Sequence, residues 1–167
     1  MNNIIMENDS SNDFQSLFES IIKEESMFSK NDIDKLIKSI ENDKNNYLEN
    51  KTMTMIQDNI YNSLDAIEIT ETDKNKIINK LHGYRHVDDL RELWKGKHVR
   101  WIQNKKKTLT NGGILMNIKF TDTGTHIICR NNMNRFFQIS FDDCILFQKM
   151  SLEEQMILMA YENIKPT

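Results

Sequence analysis

The stretch Leu93–Met150 does most to limit what this chain can fold into. Here β-branched and aromatic residues alternate with polar ones at a period of two, and turn residues separate the runs. That period directs one side of an extended strand inward and the other toward water. It predicts five strands: Lys97–Gln103, Ile114–Thr121, Thr125–Arg130, Arg135–Phe141 and Cys144–Lys149. In the second, Ile114, Met116, Ile118 and Phe120 share one face; in the fourth, Phe137, Ile139 and Phe141 point inward. Asp122-Thr123-Gly124 offers a tight reversal, with Gly124 free to take a positive φ. Strands this short and closely spaced favour an antiparallel barrel over a parallel sheet.

The residues before this stretch carry a helical period instead. Phe14, Leu17, Phe18, Ile21, Ile22 and Phe28 lie on one helical face. Ser29 can cap a second helix with Ile33, Leu36, Ile37 and Ile40 inward. A third starts near Thr52 and carries Met53, Ile56, Ile60, Leu64 and Ile67. A fourth follows a Thr-rich cap with Ile77, Ile78 and Leu81, and Gly83 can end it. Val87, Leu90, Leu93 and Trp94 predict one further short helix, stopped by Gly96. Past the strands, Ser151 and Glu154 have capping-box spacing and start a helix to about Asn163. Leu152, Met156, Met159 and Ala160 make its apolar stripe, widened by Ile157, Leu158 and Tyr161. It is expected either to plug the open end of the barrel or to pack on the N-terminal helices.

The expected class is α+β: an N-terminal helical region, a small five-stranded antiparallel barrel and a C-terminal helix. Residues 1–12 read as a disordered tail, 13–92 as the helical region, and 93–163 as the barrel with its helix.

Charge divides the chain as well. The first 94 residues hold 11 Lys and Arg against 19 Asp and Glu; the rest hold 11 against 6, for a net of −3 overall. Lys95, Lys97, Arg100, Lys105, Lys106 and Lys107 fall in a short acid-free run interleaved with Trp94 and Trp101. Small barrels bind single strands by pairing basic grooves with stacking aromatics, so this run is the candidate nucleic-acid site. The competing reading is a solvated Lys loop with Trp101 in the core beside Val99. The Phe14, Leu17, Phe18 and Ile21 stripe is either core-facing or a partner-binding helix face.

The order Gly96-Lys97-His98-Val99-Arg100-Trp101-Ile102, a Lys-rich loop, Gly112-Gly113, a hairpin and then aromatic strands is similar to SH3/Tudor-like small barrels. More loosely, it resembles short barrel-containing proteins of large cytoplasmic DNA viruses. The resemblance implies a non-enzymatic module, in a viral setting a virion or scaffold component, and transfers no catalytic residue. A Tudor-type cage would draw on Trp101, Phe120, Phe136, Phe137, Phe141 and Phe147. Phe is the usual core filler, and the strands hold no Tyr.

The chemistry-bearing residues read as structural. His82 and His86 have ligand spacing, but Gly83 between them ends the helix; no CxxC or HExxH occurs. Cys129 and His126 fall on opposite strand faces. Cys144 follows Asp142-Asp143, which raise rather than lower a thiol pKa. Asp142-Asp143 suits a turn, and Asp88-Asp89 a helix start. Gly112-Gly113 precedes a strand, not the helix of a phosphate loop. No metal, cofactor or catalytic residue is expected. Two cysteines in strand-like runs, no apolar run long enough for a membrane span and no signal-like N-terminus fit a reduced cytoplasmic setting. The expected function is a non-enzymatic structural or protein-interaction protein that binds a partner or itself. The alternative is a nucleic-acid-binding module using Lys95–Lys107.

Overall fold

The computed structural model describes residues 30–164. The expected tail 1–12 and the stripe of Phe14, Leu17, Phe18 and Ile21 lie outside the described residues. The described residues divide into two compact units, 30–54 with 151–164, and 55–150.

In the first unit, α1 (Lys30–Glu41) buries Ile33, Leu36 and Ile37, the positions its helical period selects. A 3-10 helix follows (Asp43–Leu48), capped by the Asn42 side chain, which accepts from the Lys44 amide. It ends in the fully buried Leu48. The C-terminal helix of the chain (Leu152–Ile164) packs against α1 and this 3-10 helix. The Ser151 Oγ accepts from the Glu154 amide at 3.1 Å, and the Glu154 carboxylate accepts from the Ser151 amide at 3.4 Å, which completes the capping box. The buried face of this helix is Ile157, Leu158 and Ala160, while Leu152 and Met159 are exposed. Part of the expected stripe is therefore corrected: a helix apolar on nearly every side does not reveal which side is covered.

The second unit opens with α2 (Met53–Ser63), whose first turn contains the division between the units, and α3 (Glu71–Lys80). Thr70 caps α3 by accepting from the Asp73 amide at 3.1 Å. Six strands follow: β1 (Tyr84–Val87), β2 (His98–Gln103), β3 (Gly113–Thr121), β4 (Gly124–Arg130), β5 (Phe136–Ser140) and β6 (Cys144–Lys149). They form one antiparallel sheet in the order β1-β6-β2-β3-β4-β5. β1 and β5 are its two edges. The expected closed five-stranded barrel is thus corrected to an open six-stranded sheet.

The added strand is β1, where a short helix through Val87 was expected. Only Leu90–Glu92 turns helically, as a single 3-10 turn begun by the Asp89 side chain. Gly83 at φ +80° precedes an extended segment that pairs with β6, which draws Val87 into the core. β1 thus lies inside the stretch expected to be helical, and the C-terminal helix groups with residues 30–54.

One side of the sheet carries the core: Val87, Val99, Trp101, Leu115, Ile127, Cys129, Ile139 and Leu146, with Leu93 from the β1–β2 connection. At β2 and β6 both sides are covered, since Ile102 and Phe147 are also fully buried. A bulge at Leu115/Asn117 reverses the alternation in β3. Leu115 and Ile118 therefore meet the core, and the expected face of Ile114, Met116, Ile118 and Phe120 is corrected. Gly112 and Gly113 are required where β2 and β4 crowd this turn. A Cβ at Gly112 would overlap the Val99 carbonyl, and one at Gly113 would lie 2.6 Å from the Arg130 oxygen.

Candidate interaction site

The local sequence of the β4–β5 turn builds the free edge of the sheet. The Asn131 side chain accepts from the amides of Met133 at 3.0 Å and Arg135 at 2.9 Å, and Asn134 takes a left-handed φ of 59°. An Asn does both cheaply, because its short amide bonds to nearby backbone and tolerates that conformation. The turn leaves Met133 69% exposed.

Beyond it, the Asn131 amide donates to the Arg135 carbonyl at 2.9 Å. Hydrogen-bonded pairs recur every second residue in an antiparallel ladder. Hence residues 137 and 139 bond back to Cys129 and Ile127 on β4, whereas the N–H and C=O of Phe136 and Gln138 and the N–H of Ser140 point away from the sheet; the Ser140 carbonyl opens the 3-10 turn that follows. Phe136 is 64% exposed and Phe137 44% exposed, on opposite sides of the strand; Ile139 is buried. Phe137 does lie on the expected core side, opposite Cys129, but it is only partly covered there. No residue of β5 is charged. Exposed Arg135 precedes the strand, and exposed Asp142 and Asp143 follow it in a 3-10 turn. None of these three forms an ion pair among the described residues.

The opposite edge is built differently. Arg85 on β1 points inward and is buried, donating to the Gln148 side-chain oxygen at 3.2 Å and to the Glu92 carbonyl. Gln148 in turn accepts from the Trp94 amide at 3.1 Å and donates to the Trp94 carbonyl at 2.8 Å. A buried side-chain amide thus stands in for a strand partner and ties down the β1–β2 connection.

The predicted nucleic-acid residues do not gather into one surface. Trp101 is 6% exposed within the core and offers no face to a base. Half-buried Arg100 is committed to the carbonyls of Thr110 at 2.8 Å and Lys80 at 3.1 Å. Lys97 is half-buried, and Lys95 is exposed. Lys105, Lys106 and Lys107 are exposed on the turn after β2, where the amides of Lys106 and Lys107 both donate to the Gln103 carbonyl. Charge is displayed there without aromatics. The cage candidates do not converge either. Trp101 and Phe147 are buried, and Phe141 packs against the core. Phe120 pairs with Thr125 and Phe137 with Cys129. Four residues of β4 separate these pairs, about 13 Å along the strand.

Burial pushes the thiols of Cys129 and Cys144 up to about 12, with Asp143 and Asp142 adding to the effect at Cys144. Protonated thiols are poor nucleophiles and metal ligands. Burial lowers His86, and burial followed by the charges of Arg100 and Lys149 lowers His98. Neutral His98 Nδ1 lies 2.9 Å from the Tyr84 hydroxyl. Among the described residues no three His, Cys, Asp or Glu side chains group as metal ligands, and no helix is long and apolar enough to cross a membrane. In the first unit a groove of about 710 Å³ is lined by Leu36, Leu152 and Met156, with Asp32, Lys35, Lys38, Ser39 and Glu153 around them.

No family model matches the chain, and neither a curated protein nor a solved structure does.

The outward edge was missed from sequence because alternation identifies strands but not their neighbours. The signal that could have found it is the uncharged run Phe136–Ser140 directly after an Asn-rich turn.

Proposed function

We propose that this chain is a non-enzymatic structural or protein-interaction protein that takes a protein partner along β5. A single observation carries the reading: Met133, Phe136 and Phe137 are exposed beside a strand whose outer N–H and C=O groups at Phe136 and Gln138 have no partner among the described residues. Such an edge gives main-chain hydrogen bonds to an added strand, and its exposed side chains supply apolar contact. The likeness to SH3/Tudor-like modules, and the scaffold role that the viral likeness implies, belong to this reading as its proposed setting. The thiols, held protonated, and the inward-facing core aromatics support a role without catalysis.

Photocrosslinking tests it. A photoreactive phenylalanine replaces Gln138 in the full-length chain, and the chain is irradiated in its source cells. Protein adducts at position 138 are expected, and far fewer from the same label at Lys105. No adduct at 138 above the Lys105 level would refute the docking edge.

A second reading, nucleic-acid binding, is favoured by the three successive exposed lysines Lys105, Lys106 and Lys107. It would rest on phosphate contacts alone and so show little preference for sequence.

A further inference from the structure

We infer that the partner along β5 is a second copy of this chain, the two β5 strands pairing antiparallel about a two-fold axis at Gln138. The inference rests on β5 being the docking edge and adds the identity of what docks there.

Three observations select a second copy. The first is charge. Arg135 stands at the start of the strand and Asp142 with Asp143 at its end, all exposed, with nothing charged between. Antiparallel self-pairing sets the Arg135 of each copy alongside the acids of the other. Parallel pairing would align like charges, so the edge specifies both its partner and its direction.

The second is register. The outward backbone groups are the N–H and C=O of Phe136 and Gln138 and the N–H of Ser140. A two-fold at Gln138 pairs residue 136 with 140 of the second copy, and 138 with itself, so both outward groups of Gln138 are bonded and the Ser140 N–H meets the Phe136 C=O of the second copy. An axis one residue to either side leaves part of the strand without a partner. The chosen register also sets Phe137 opposite Ile139 of the second copy on the core side. That covers the apolar ring which this chain alone leaves 44% exposed.

The third is the lack of protection. Monomeric sheet proteins blunt their edges with Lys, Pro, a bulge or an inward charge. β5 has none of these, whereas β1 has the inward Arg85. Two copies of one surface meeting about a two-fold also form a closed pair, which uses up β5 and leaves only the two β1 edges, each with its inward Arg85.

A single five-residue strand pair belongs to the weak end of protein contacts, with an expected dissociation constant of about 1–100 µM. Sedimentation equilibrium of the full-length chain should show the weight-average mass rising with concentration toward twice that of one chain. Gln138→Lys and Gln138→Glu each place like charges across the axis, and each should weaken association at least tenfold. An equimolar mixture of the two should restore it, because Lys then faces Glu. Gln138 is exposed, and matching thermal melts of both variants would establish that they fold. A wild-type chain monomeric throughout this range would overturn the inference. So would a dimer unaffected by either variant, a mixture that stays monomeric, or rings larger than a dimer. The crosslink at position 138 separates the two levels. Adducts at twice the chain mass support both, adducts only to another protein retain the docking edge but refute the second copy, and no adduct refutes both.

Discussion

The two edges of the sheet, β1 and β5, solve the same problem in opposite ways. Each ends a row of strands and so leaves backbone groups to satisfy. β1 is four residues long and turns Arg85 inward, where Gln148 and the Glu92 carbonyl hold it. β5 is five residues long, uncharged, and flanked by exposed Phe and Met side chains. A buried guanidinium is costly unless bonded, so Arg85 is held by the chain's own groups, and an inward charge is one of the devices that discourage pairing at a sheet edge. The difference is one of protection: β1 carries an inward charge and β5 carries none.

The sharpest way to break this comparison is to remove the commitment at β1. Gln148→Leu keeps the volume but strips the Trp94 amide and carbonyl, and Arg85, of hydrogen bonds. The expected loss is about 3 kcal/mol in urea unfolding. A loss below about 1 kcal/mol would mean the β1 edge is not locked.

Acidity probes the same end of the sheet with a smaller effect. His86 and His98 both titrate below the ordinary imidazole value of 6.5 in the folded chain. The unfolded chain then binds protons that the folded one refuses. Stability is therefore full above 6.5 and falls as the pH drops through and below that value. Thermal unfolding at about pH 7.5 and about pH 5 should show the drop. The double variant His86→Gln with His98→Gln should flatten it, and an unchanged drop would remove these two groups as its source.

At the β5 end, Phe136→Ser should alter stability by no more than about 0.5 kcal/mol, since the ring is already in water. The same substitution should sharply reduce crosslinking at position 138. A large loss of stability would place this ring in the interior and end the contrast between the edges.

The smallest structural effect is expected at neither edge. Replacing Lys105, Lys106 and Lys107 with Glu should leave the melt unchanged. If gel shifts at low salt reveal DNA or RNA binding, the triple variant should abolish it, and rising salt should weaken it steeply. No shift with the wild-type chain would dispose of the nucleic-acid reading.

Much of the strand layout was legible. Cys144–Lys149 matches its expected bounds, and the other four expected strands differ by a residue at one or both ends. Where side chains repeat at a period of two with Gly or Asn between the runs, local sterics and burial agree. Three features were not legible, each for its own reason. β1 is too short for its period to register, and its inward residue is an arginine. The bulge at Leu115/Asn117 is one extra residue in an otherwise regular run, so Ile114 leaves the face that Ile118 and Phe120 still share. The candidate site depends on strand order. Leaving β5, the chain turns through Phe141–Asp143 and crosses to lie between β1 and β2, so β5 remains at the margin. No residue of β5 carries that information.

One consequence follows from the way residues 55–150 interrupt the first unit. On a ribosome, α1 and the 3-10 helix after it emerge well before the C-terminal helix they pack against. At roughly 5–20 residues per second, the intervening sheet takes on the order of ten seconds to be made. The sheet, whose contacts are all within one continuous segment, can therefore finish first. The unit that begins the chain is the last to close, and until then the apolar side of α1 is available to anything that would hold a nascent helix.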